Sequence, residues 1–161
     1  MADDYILEID GIKGESAKDG HIGQIDILSW SLGMSNPGSS ATGGGGGTGQ
    51  VTYQDLHFTK EVESSSHDLQ LKCAGGQPIT KATLYVRKQG KDSKQQNFLK
   101  VTMEQLIVSS YSLSGGGGGA PQESFSLNFA KYKFEYAPQK ADGSMEAFKS
   151  MSWDLKKNLK A

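Results

Sequence analysis

Two blocks of five glycines, Gly43 to Gly47 and Gly115 to Gly119, constrain this chain more than any other feature. Glycine loses more backbone freedom on folding than any other residue and brings no side chain to a core. Ten of the 21 glycines sit in these blocks. They are expected to form long Gly-rich loops projecting from a β-rich body. Loops of that kind suit contact-making more than catalysis.

The remaining composition is that of one domain, expected to span 1–161. Seventeen basic and 18 acidic residues give a net charge of −1, which offers no electrostatic case for nucleic acid or an anionic membrane. The acidic start, Met1-Ala2-Asp3-Asp4, lacks the charged and apolar regions of a signal peptide, and no apolar run is long enough to span a bilayer as a helix. Cys73 is the single cysteine, so no internal disulfide can form and synthesis in a reducing cytosol is expected.

Period-two alternation dominates. Tyr5, Leu7 and Ile9 alternate with Glu8 and Asp10 in a first strand that stops at Gly11. Ile22 to Met34 reads as a longer strand whose phase changes: Ile25 and Ile27 share one parity, Leu28, Trp30 and Leu32 the other. Such a change marks a bulge or a strand passing between sheets. Val51 to Phe58 shifts in the same way, as do Leu99 to Val108 and Phe125 to Tyr136. Ala82, Leu84 and Val86 define a strand between them, and Met151, Trp153, Leu155 and Leu159 a last one, with both tryptophans expected in the core. Ser64 to Ala74 is the one helix expected, capped by Ser64 or Ser65, with Leu69 and Cys73 on its buried face and Gly75-Gly76 as its stop. Many strands, one short flanking α-helix and repeated parity changes predict a mainly β chain, a β-barrel of two sheets.

No constellation points to catalysis or to a cofactor. Gly44, Gly46 and Gly49 fit a G-x-G-x-x-G spacing, but no strand precedes them and no helix follows. His21, His57 and His67 are scattered, without the spacing of metal ligands. Cys73 reads as a small packed residue, and the serines lack a nucleophile elbow.

Several segments, taken in order, resemble one family. They are Lys13-Gly14-Glu15-Ser16, Ile25-Asp26-Ile27-Leu28-Ser29-Trp30-Ser31 with Gly33-Met34, the Gly43 to Gly47 run, Asp55-Leu56-His57-Phe58-Thr59-Lys60, Leu127-Asn128-Phe129-Ala130, and Pro138-Gln139-Lys140-Ala141-Asp142-Gly143. The chain is similar, nearly end to end, to the haemolysin-coregulated proteins, the inner-tube subunits of the bacterial type VI secretion system. The resemblance implies a homohexameric ring with a wide channel, and rings stacked into a tube inside a contractile sheath with a VgrG-type spike protein at the tip. It implies effector proteins carried in the lumen, and a subunit that starts in the cytoplasm and is released outside the cell. The chain stops at Ala161, shortly after the last expected strand, so no fused toxin domain is expected.

The resemblance also suggests site residues. The segment from Ser35 to Gly49, with Asn36, Pro37 and Gly43, Gly44, Gly45, Gly46 and Gly47, is the expected ring-stacking loop. If Leu28, Trp30 and Leu32 fill the barrel, Ser29 and Ser31 face out of it, and in the family arrangement Ser31 faces the lumen. Two other functions stay open on the residues alone. One is a glycan- or ligand-binding β-barrel using an exposed aromatic such as Tyr85 or Tyr111; the other is a hydrolase built on Cys73 or a serine.

Overall fold

A computed structural model describes residues 3–37, 50–90 and 94–161. Eleven strands and one helix follow in the order β1 (Asp4–Ile9), β2 (Ile25–Ile27), β3 (Ser29–Ser31), β4 (Met34–Ser35), β5 (Thr52–Tyr53), β6 (Leu56–Glu61), α1 (Ser66–Gly75), β7 (Ile79–Gln89), β8 (Gln95–Ser114), β9 (Gln122–Tyr136), β10 (Lys149–Asp154) and β11 (Leu159–Lys160). Nine strands form one sheet, ordered β11-β10-β9-β8-β7-β1-β2, with β6 pairing both β9 and β3; β4 and β5 form a separate ribbon. All of the pairings are antiparallel.

The sheet curls round a core that includes Leu7, Ile25, Leu56, Phe58, Leu84, Met103, Phe125 and Leu127. The barrel is not closed by a continuous ladder. Its seam lies at Leu28, between β2 on β1 and β3 on β6, where the Leu28 N–H donates to Thr59 O at 2.8 Å.

The parity changes in the sequence fall where the sheet bends. Leu28 separates β2 from β3, and Gln54-Asp55 separates β5 from β6. In β8 and β9 the buried parity switches together: the ladder passes from Glu104↔Lys131 to Leu106↔Phe129, skipping Gln105 and Ala130. Gln105 sits there at φ 53°, a left-handed conformation that few side chains favour. A second irregularity, between Val108 and Ser110, doubles the serines opposite Ser126.

Three expectations are corrected. Leu28 does not fill the barrel; it stands at the seam, 49% exposed. The last strand is a hairpin, β10 and β11, and its apolar parity faces the core only in part: half-buried Leu155 packs against it, but Met151 and Leu159 are exposed while Asp154 is buried. The physical reason is local, since β10 adds to one edge of β9 and the Asp154 carboxylate turns in to accept the Lys157 N–H at 3.0 Å. Trp153 is half-buried and stands apart from the main core, whereas Trp30 packs edge-on against Tyr5, ring centroids 6.4 Å apart.

The helix forms as expected, displaced by one or two residues, with Leu69 buried, Cys73 half-buried and Leu71 exposed. Gly76 ends it at φ 59°, where a glycine avoids the Cβ penalty. Its start is not capped by a Ser64 or Ser65 side chain. The Ser66 hydroxyl instead accepts the Glu63 N–H at 3.0 Å and donates to Glu123 at 2.9 Å.

Those bonds belong to a buried polar network. Lys60 on β6 and Glu123 on β9 are opposite each other in register, both side chains are fully buried, and they form an ion pair. The Lys60 ammonium also reaches Glu63 at 3.3 Å and the Glu61 carbonyl at 3.1 Å. Glu63 accepts the backbone N–H of Ser65 at 2.8 Å and of Glu15 at 2.7 Å, and Glu15 accepts that of Ser64 at 2.9 Å. Burial pushes the Glu63 carboxyl up, but the Ser65 hydrogen bonds, the Lys60 charge and the Glu15 N–H together hold it below its ordinary value. Tyr111 on β8 donates to Glu123, and burial with that carboxylate lifts its phenol to about 12.

Gly14 makes the network possible from the other side. A Cβ there would lie 2.5 Å from the Gln24 carbonyl oxygen and 2.9 Å from Glu63 Oε2, so only glycine lets this turn approach the strand and the helix start together.

Removing the ammonium alone would leave Glu123 buried without its counter-charge. Lys60→Ala is expected to cost roughly 3–5 kcal/mol in chemical denaturation. Lys60→Met combined with Glu123→Gln is expected to cost markedly less. Equal losses in the two variants would show that the charge pairing is unimportant.

A candidate functional site on the hydroxyl-lined sheet face

Four strands lie side by side in the order β3, β6, β9, β8, and each carries an aromatic residue flanked by polar ones. The triplets are Ser29-Trp30-Ser31, His57-Phe58-Thr59, Ser124-Phe125-Ser126 and Ser110-Tyr111-Ser112. Successive side chains on a strand point to opposite faces. The register aligns the aromatics as one rung, Trp30↔Phe58↔Phe125↔Tyr111, with Phe58 and Phe125 stacked 5.2 Å apart in the core. It aligns the polar residues as two rungs on the other face: Ser29↔Thr59↔Ser124↔Ser112, and Ser31↔His57↔Ser126↔Ser110.

Ser29 and Ser31 are both exposed on this outer face, as the alternation with Trp30 predicts. His57, Ser110, Ser112 and Ser124 are exposed beside them, and Thr59 is half-buried. Ser126 is only 2% exposed because the irregular segment of β8 sets two hydroxyls over it, Ser109 at 2.8 Å and Ser110. Ser112 and Ser124 hydrogen-bond across their pair at 3.1 Å. At one end the Asp55 carboxylate accepts from Ser109 and from Asn128, the latter at 2.8 Å. No lysine or arginine stands in either rung. The two rungs are therefore polar and uncharged, with the engaged Asp55 at one end and the exposed Glu61 at the other.

This arrangement can form many weak hydrogen bonds to a passing surface or to water. Among the described residues its serines bond to one another and to Asp55, with no hydrogen bond to the His57 ring. Ser66 Oγ lies 3.5 Å from Lys60 Nζ, but both residues are buried and the ammonium is committed to Glu123. Among the described residues no three His, Cys, Asp or Glu side chains gather as metal ligands. The aromatics considered for glycan binding are not open platforms. Tyr85 is half-buried against His21, ring centroids 4.7 Å apart, and Tyr111 is half-buried with its hydroxyl on Glu123.

The glycine-rich segments differ in position. Gly115 to Gly119 sit in the connection of the β8–β9 hairpin, whose ladder runs out to Ser114↔Gln122. Asn36 and Pro37 are exposed and directly follow β4, between the two strands of the β4–β5 ribbon, in which Met34 pairs with Tyr53 and Ser35 with Thr52. Gly43 to Gly47 lie outside the described residues.

Sequence reading finds Ser29 and Ser31 but misses the six residues aligned with them. The signal available was the repeated triplet, polar–aromatic–polar, on four separate strands. The Lys60–Glu123 pair was missed too, because each looks like an ordinary solvated charge until register places them opposite each other.

Comparisons with known proteins agree with this fold. A family model described as "Type VI secretion system effector, Hcp" matches residues 6–136. The protein hcp1 of Pseudomonas aeruginosa PAO1 is 41% identical over 164 residues, covering the full length of both chains. Hcp1 from Salmonella typhimurium superposes with a TM-score of 0.82 at 32% identity, again over all of both chains. A structure described as a type six secretion system protein superposes with a TM-score of 0.92 at 28% identity, over 99% of this chain and 100% of the other. No helix among the described residues is long and apolar enough to cross a membrane. This chain belongs to the Hcp family of type VI secretion proteins.

Proposed function

We propose that this protein is a structural, non-enzymatic subunit of the type VI inner tube. Six copies close into a ring, rings stack, and effector proteins travel in the lumen. The chain acts as one domain over 1–161. It assembles in the cytoplasm inside the contractile sheath, behind a VgrG-type tip, and leaves the cell through that apparatus. The carrying observation is the broad hydroxyl face on β3, β6, β9 and β8, which suits a channel wall. Small neutral hydroxyls hold water and make exchangeable hydrogen bonds, so cargo is accommodated without being gripped. Ser29 and Ser31 lie on the outer strand of that face and would meet cargo directly.

The stacking element in this reading is the segment between β4 and β5, from Asn36 and Pro37 through Gly43, Gly44, Gly45, Gly46 and Gly47. Two short paired strands fix its base. A long glycine-rich segment loses entropy on ordering, so stacking outside the sheath should be weak and concentration-dependent.

Three outcomes follow. Light scattering of the purified protein should give about six times 17.3 kDa, and a purely monomeric species at high concentration would remove the ring. Shortening 38–47 should leave the ring mass unchanged while abolishing tubes in negative-stain images; tubes of normal length would take the loop out of the mechanism. Ser31→Tyr should preserve the ring but reduce co-purification of a lumenal effector by about tenfold or more, equivalent to ~1.4 kcal/mol. Undiminished recovery would remove Ser31 from the cargo contact.

A further inference from the structure

A second surface, adjoining the hydroxyl face at the barrel seam, carries a definite chemistry. At the barrel seam Leu28 and Val62 are 49% and 42% exposed and form an apolar notch. Glu15, Asp26, Glu61 and Glu63 surround it. Lys18 bridges Asp26 at 2.8 Å, and the Lys60 ammonium beneath is taken up by Glu123 and Glu63. The rim remains acidic. The notch exists because the strand changes phase at Leu28, turning a leucine outward beside the end of β6.

The complementary feature lies further along β9, beside Ala130 and Lys131. The β10–β11 hairpin is basic and tipped with an apolar side chain: Lys156, Lys157 and Lys160 are exposed, and Leu159 is 48% exposed. Its own aspartate, Asp154, is buried and engaged by the Lys157 N–H. The turn is held by that bond and by the left-handed Asn158, φ 51°. The hairpin therefore presents lysines round a leucine, where the notch presents carboxylates round a leucine and a valine.

One molecule cannot bring the two together. Val62 bonds to Pro121 just before β9 starts, whereas β10 pairs with Lys131 to Tyr136 at the far end of that strand. About ten strand residues, on the order of 30 Å, separate them. We infer that the lysine-rich β10–β11 hairpin of one copy docks into the acid-rimmed Leu28–Val62 notch of the next, joining copies head to tail. The occupant is a second copy of this chain, chosen by charge complementarity and by the apolar side chain at the centre of each patch. Two unlike patches on one subunit are what a head-to-tail assembly requires. The charged rims would favour correct encounter and reject the reversed pairing, where like charges meet. The inference rests on the proposed self-assembly but is separable from it.

The test uses two full-length variants, Asp26→Lys with Glu61→Lys in the notch, and Lys157→Glu with Lys160→Glu in the hairpin. None of these side chains belongs to the buried network, and circular dichroism and thermal melting check that each variant folds. Sedimentation at low salt and high concentration reads assembly. Each variant alone should assemble about tenfold or more weakly than the unaltered protein. An equimolar mixture should recover assembly, because each reversed patch then meets its opposite and each unaltered patch does too. Loss of ring closure or of ring stacking in the single variants, with recovery on mixing, supports the contact. Variants that assemble normally, or folded variants that fail to recover on mixing, overturn it while leaving tube assembly intact. An unaltered protein that never self-associates overturns both readings.

Discussion

The buried pair between Lys60 and Glu123 governs the geometry on which the rest depends. The two residues face each other across β6 and β9, completely enclosed. A sheet slipped by one residue turns every side chain to the opposite face. Here a slip would pull the ammonium away from its carboxylate and send hydroxyls into the core, both at high desolvation cost. Only one register satisfies the pair, the helix start through Ser66 and Glu63, and the Glu15 turn that Gly14 permits. A buried ion pair adds little net stability against an apolar replacement, but it discriminates strongly among alignments.

That register determines what faces outward. In the same strands that place Lys60 and Glu123 inside, the alternate residues are Thr59 with Ser124 and His57 with Ser126. The polar face and the aromatic rung are thus two consequences of one alignment. The aromatic rung supplies the apolar burial, led by the stacked Phe58 and Phe125, while the opposite side is left free to be small and polar. The bulge at Val108 to Ser110 adds a further hydroxyl over Ser126, so a nearly buried serine stays satisfied. Neutrality on such a face matters physically. A charged wall would hold oppositely charged cargo and repel the rest, whereas hydroxyls exchange water for cargo at small net cost.

The sequence made the fold class, the helix and the bends readable, because alternation and its interruptions are local. Ile27 and Leu28 mark the seam, and the coincident phase changes near Gln105 and Ala130 mark a shared corner of β8 and β9. Ser29 and Ser31 were readable for the same reason, as small residues alternating with Trp30. What escaped was decided by partners distant in the chain. Lys60 and Glu123 are 63 positions apart, by subtraction of their numbers, and nothing near either predicts burial. The β10–β11 hairpin misled because Met151, Trp153, Leu155 and Leu159 have a clean strand period. A period says that two faces differ, but not which of them has a core to cover, and β10 adds at an edge where much of its apolar face stays in water.

The distribution of charge adds a last constraint. The two hydroxyl rungs hold no lysine, arginine or carboxylate; the engaged Asp55 stands at one end and the acid-rimmed notch begins with Glu61 at the other, while the lysine-rich hairpin lies further along β9, beside Ala130 and Lys131. The near-zero net charge is thus the sum of strongly unlike patches, the property that the proposed head-to-tail contact needs.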